Sequence, residues 1–119
     1  MPPERATRNR RAESARLGTL GPTIPPYAKQ FVNLIQDLPQ VKQVTLEYDD
    51  GIPLICTVIE APRLEWEYSD PIYHAQGDVL RANPDLDADF RLINRTMGGG
   101  QIRDYGSNLP DGVIVLHKR

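Results

Sequence analysis

The sequence predicts an α+β domain: a two-layer α/β sandwich in the order α-β-β-α-β-β, with two helices on one face of a mixed, mainly antiparallel sheet of 3–4 strands. Three observations predict it. Two stretches carry apolar residues at helical spacing, two adjoining segments alternate about an Asp-Gly turn, and two short apolar runs close the chain. The 119 residues make one domain's worth of chain, long enough to bury roughly two-thirds of its unfolded surface without disulfide or metal staples. With 39% hydrophobic and 25% charged residues, the composition is that of a globular chain and excludes global disorder.

Residues 1–24 read as a flexible basic tail and residues 25–119 as the single domain. The tail offers few large apolar side chains beyond Leu17, Leu20 and Ile24, and Pro and Gly punctuate both of its ends. Burial there cannot offset the entropy of ordering. The first helix is expected from Pro26 to about Asp37, where Tyr27, Phe31 and Ile35 draw an apolar stripe with Leu34 and Leu38 beside it. Thr23 is its candidate cap and Pro39 its end.

Val44, Leu46 and Tyr48 alternate with Thr45 and Glu47, a half-buried strand running into the turn Asp49-Asp50-Gly51. The second strand sets Leu54, Cys56 and Val58 on one face and Ile55, Thr57 and Ile59 on the other. Apolar on both faces, it is expected to be central or covered twice. Asp70-Pro71 predicts the start of a second helix, with Asp70 as its cap and Ile72, Ala75, Val79 and Leu80 facing inward until Asn83-Pro84. A third strand is expected at residues 89–95 and a fourth at residues 113–116, joined by a glycine-rich loop over 96–112. A crossover of the usual hand makes the third strand parallel to the second, whether it lies beside that strand or beside the first.

Catalytic signals are sparse. His74 stands four residues from both Asp70 and Asp78, so one helix side aligns an imidazole with two carboxylates. That makes His74 and Asp78 the candidate general-base pair. The two-histidine zinc signature is missing, however, and Asp70 is explained as a cap. No metal ligand set and no cofactor are expected. Cys56, the one cysteine, sits in an apolar run and reads as a small buried hydrophobe. Gly98-Gly99-Gly100 lacks the Lys-Ser/Thr ending and following helix of a phosphate loop, although Arg103 and Tyr105 behind it are placed to meet a ligand.

Interaction signals are stronger. Trp66, in Glu65-Trp66-Glu67-Tyr68, reads first as a lid on the core edge and second, with Tyr68, as a partner-binding anchor. Ile55, Ile59 and Ile93 are assigned to the sheet face opposite the helices, an apolar patch for self-association or a protein partner. The competing expectation is that the 96–112 loop or the N-terminal segment folds back over that face. Arg5, Arg8, Arg10, Arg11 and Arg16 face only two glutamates in residues 1–20, whereas the remainder holds nine Lys/Arg against fourteen Asp/Glu. Such a tail suits phosphate contacts and makes nucleic acid the alternative partner. The expected function is therefore a non-catalytic interaction or assembly module, homodimeric in one form. A nucleic-acid-associated protein comes second and a small hydrolase or nuclease third. No apolar run reaches a membrane-spanning length and no secretory signal opens the chain, so a cytoplasmic location is expected.

Overall fold

The computed structural model describes residues 23–62, 66–96 and 103–119. Its elements are α1 (Pro26–Ile35), β1 (Val41–Asp49), β2 (Ile52–Ile59), α2 (Trp66–Ala82), β3 (Asp89–Asn94) and β4 (Ile114–Lys118). The order is the predicted α-β-β-α-β-β. The four strands form one mixed sheet, β3-β2-β1-β4. β1 is antiparallel to both of its neighbours, while β2 and β3 run parallel. Of the two places open to β3, it takes the one directly beside β2, with α2 as the helical crossover that a parallel pair requires. The arginine tail expected over residues 1–24 lies outside the described residues up to residue 22.

α1 starts on Pro26 after an extended Pro25, whose carbonyl accepts from the N–H groups of Ala28 and Lys29 at 3.0 and 3.2 Å. Proline suits this place because a first-turn N–H has no helical partner to lose. No side chain caps the helix, so the cap expected of Thr23 is not formed. Ala28, Phe31, Val32 and Ile35 make its buried stripe. Phe31 meets Phe90 of β3 with ring centroids 5.2 Å apart and planes at 55°, a tilted contact that suits the charge distribution of aromatic rings.

α2 begins at Trp66, one turn before the expected cap at Asp70, and Pro71 lies inside it. The Asp-Pro pair reads as a helix start because proline is easiest to place there. Here the helix instead forgoes the one backbone hydrogen bond that Pro71 cannot donate. The inner side of α2, Ile72, Ala75 and Val79, packs on the sheet with α1. Gln40 donates to the Tyr68 carbonyl at 3.2 Å, and Asn83 donates to Gln30 at 3.2 Å, fastening both ends of α2 to the rest of the layer.

The β1–β2 hairpin turns on Asp50 and Gly51, both at positive φ (57° and 81°). That is the two-residue turn whose twist matches the strands it joins. It pairs Asp49 with Ile52 and thereby Leu46 with Ile55 and Val44 with Thr57. Directly paired residues share a face, so Ile55 belongs with Val44 and Leu46, under the helices.

The expected assignment of Ile55 and Ile59 to the opposite face is therefore corrected. Both are buried in the main core with Phe31, Ile35, Ile72 and Val79. Ile93 is separated from them. It pairs with Val58 and is buried beside Cys56 and Val58 in a smaller cluster on the second face. Alternation correctly divided β2 into two sets; the turn register decides which set meets the helices.

That second face is closed in part by the chain itself. The segment after the glycines returns across it: Gln43 donates to the Gly106 carbonyl at 3.0 Å, and the Cys56 thiol lies 3.8 Å from the Arg103 carbonyl. β4 also runs further than expected, with His117 and Lys118 paired to Val44 and Gln43 of β1. No helix among the described residues is long and apolar enough to cross a membrane.

Candidate functional site

Two places gather the residues singled out in the sequence: the clasp on the second sheet face, and the outer side of α2. At the clasp, Glu47 projects from β1 into a nearly buried position. Arg103 Nη1 meets it at 2.7 Å, and the Tyr105 hydroxyl donates to it at 2.9 Å. Arg103 also reaches Asp49 at 3.2 Å. Burial and the bond to Glu47 push the Tyr105 phenol above its ordinary range. Next to it Arg95 grips Asp104 through two bonds of 2.7 and 2.9 Å and touches Glu60 at 3.3 Å. The hydrogen bonds from Arg95 hold the Asp104 carboxyl below its usual value.

Every acid of this cluster faces a cation, so its chemistry is that of a fastening. Arg103 and Tyr105, expected to meet a ligand, here hold the return segment to the sheet. Cys56 lies beneath it, fully buried, and burial pushes its thiol up to about 11 with Glu47 adding to the rise. A thiol held protonated in this way is a poor nucleophile and poor metal ligand.

On α2 the expected trio does not assemble. Asp78 is paired with Arg81, one turn on. His74 is exposed and makes no hydrogen bond to Asp70 or Asp78 among the described residues. Also among the described residues, no three His, Cys, Asp or Glu side chains come together as a metal site. Glu65 and Gly98-Gly99-Gly100 lie outside the described residues.

The same helix carries a different arrangement. Trp66 is 74% exposed, which corrects its reading as a lid over the core, and Tyr73 is 48% exposed. Residues seven apart return to the same side of a helix, so Trp66, Asp70, Tyr73 and Gly77 form one outward stripe. It lies opposite the buried Ile72, Ala75 and Val79. Tyr68 falls on the inner side, packed against the core, and takes no part in the stripe.

Between the aromatic end and Arg81 lies a shallow hollow of about 200 Å³, bordered by Asp70, Tyr73, His74, Gly77 and Arg81. Gly77 forms its low point because it lacks a side chain. Its φ is not in the left-handed region, and an added Cβ would meet just the Arg81 guanidinium, at 3.3 Å. Nothing in the backbone demands glycine there. Tyr73 and Gly77 were not singled out from the sequence. The spacing 66-70-73-77 would have shown them had the helix been started at Trp66.

No protein-family model matches this sequence. No curated protein is similar to it at a significant level either.

Proposed function

We propose that this protein is a non-catalytic assembly module that pairs with a second copy of itself through the outer stripe of α2. The observation that carries the reading is Trp66, exposed at one end of a stripe whose other end is the Gly77 hollow. Exposing so much of a tryptophan forgoes roughly 2 kcal/mol or more of burial, and tryptophan is the residue most enriched at interface hot spots.

The stripe is self-complementary. In an antiparallel pair of α2 helices with a two-fold axis between residues 71 and 72, Trp66 of each copy faces Gly77 of the other. Asp70 then faces the Tyr73 hydroxyl. A bulky group meets a gap and an acceptor meets a donor, both repeated by symmetry, as an isologous interface requires.

The contact is small. A helix of 17 residues is about 25 Å long, and one such face buries an area at the weak, transient end of protein interfaces. Weak association, on the order of tens to hundreds of micromolar, is expected of such an encounter. A cytoplasmic setting suits a chain whose one cysteine is buried and unpaired.

Trp66 is the single tryptophan, so its emission reports on its own burial. The reading predicts a shift to shorter wavelength as concentration rises from about 1 to 500 µM, spanning the weak range above. Emission that stays solvent-like throughout overturns it.

A further inference from the structure

A second site is built where β1 and β4 run together, on different elements from α2. Lys42, Gln43, Glu60, Arg95, Lys118 and Arg119 border an open cleft of about 320 Å³, large enough for a small ligand. Beyond residue 20 the chain has nine cationic side chains and fourteen carboxylates. Four of those nine border the cleft, against one of the fourteen, Glu60. On an acidic body this is a marked local reversal of charge.

Backbone geometry produces it. The β1–β2 register shifts between Val41 and Gln43, leaving Lys42 as the extra residue of a bulge. Bulges re-aim side chains and recur beside binding sites. Lys118 is brought alongside by its pairing with Gln43. Arg119 is held by its own N–H, which donates to the Lys42 carbonyl at 2.9 Å, and by its guanidinium on the Gln36 carbonyl. That bond is to a neutral group, so the charge of Arg119 is left available to a ligand. Arg95, held by Asp104 and Glu60, forms a fixed wall.

Gln43 contributes an independent sign. It is 2% exposed, its Nε2 donates to the Gly106 carbonyl, and its Oε1 is buried with no hydrogen-bond partner among the described residues. A buried acceptor left unpaired is costly and calls for an explanation. A ligand bearing an O–H or N–H group supplies the missing donor.

We propose that this cleft binds a small phosphate ester: Lys42, Lys118 and Arg119 take the phosphate, and Gln43 Oε1 accepts from a hydroxyl near it. Sulfate, which carries no hydrogen at neutral pH, satisfies the cations but not Gln43. A sugar phosphate satisfies both.

The test is calorimetric and NMR titration of the full chain with ribose 5-phosphate, inorganic phosphate and sulfate. An oligonucleotide lacking a terminal phosphate is the fourth probe. The expected result is saturable binding of ribose 5-phosphate, about tenfold tighter than sulfate, with inorganic phosphate, whose P–OH can also donate, between the two and shifts at Lys42, Gln43 and Lys118. Lys118→Glu, at an exposed position that leaves folding intact, is expected to weaken it at least tenfold. Gln43→Leu is expected to abolish the preference over sulfate, and a folded Gln43→Leu chain that keeps the preference overturns the assignment. So does the absence of saturable binding, or equal binding of sulfate. Tighter binding of the oligonucleotide that is lost in Lys118→Glu also overturns it, in favour of a nucleic-acid backbone. Since the cleft shares no residue with the α2 stripe, either proposal stands or falls without the other.

Discussion

Asp104 illustrates how single residues hold the second sheet face closed. Its carboxyl is held below the ordinary value of 3.8 by the hydrogen bonds from Arg95. A carboxyl with a depressed folded value binds protons less readily than in the unfolded chain. Its contribution to stability is therefore present above 3.8 and fades as pH falls through the lower, folded value. Asp104→Asn is expected to be less stable than the native chain at neutral pH. The gap should close as both are acidified below 3.8, which urea midpoints across a pH series would measure. A gap independent of pH would mean that the pair does not carry this energy. At this scale the sequence was least legible. Glu47 and Arg103 lie 56 positions apart, and no local pattern links an acid on a strand to a cation in a glycine-rich loop.

Elements were legible wherever periodicity was strong and ambiguous where turn chemistry allowed two answers. The alternation through Val44, Leu46 and Tyr48 and the stripe through Phe31 and Ile35 locate β1 and α1 directly. The face of β2 was misassigned because both of its sides are apolar. The two-residue turn at Asp50-Gly51 already implied the pairing of Leu46 with Ile55, and so held the answer. For α2, Asp70-Pro71 resembled a start strongly enough to hide the preceding turn, and with it the stripe from Trp66 to Gly77. Glycine inside a helix costs about 1 kcal/mol relative to alanine. Gly77→Ala has room once Arg81 shifts, so it is expected to stabilise the monomer by up to about 1 kcal/mol. A thermal melt at low concentration, where self-association is absent, checks it. A large destabilisation would show that the guanidinium cannot move and that glycine is needed for packing.

At the scale of the whole molecule, the sheet is covered by helices on one face and partly by its own return segment on the other. Ile59, expected to be an interface residue, is 2% exposed in the main core. Ile59→Lys forces an unpaired charge among apolar groups and is expected to cost more than about 4 kcal/mol, leaving the chain unfolded by circular dichroism. A folded, soluble Ile59→Lys monomer would restore the idea of an exposed isoleucine patch. With the second face clasped, the outer side of α2 sets two exposed aromatic side chains, Trp66 and Tyr73, along one stripe. The claim that α2 pairs with itself rests on a knob and a gap eleven residues apart on one helix.

Sedimentation equilibrium of the native chain and of Gly77→Leu, from about 1 to 500 µM, tests that claim most directly. The account predicts a monomer–dimer equilibrium for the native chain and a folded monomer throughout for Gly77→Leu, whose side chain fills the gap without disturbing the helix. A native chain that stays monomeric, or a Gly77→Leu chain that dimerises equally well, would contradict it.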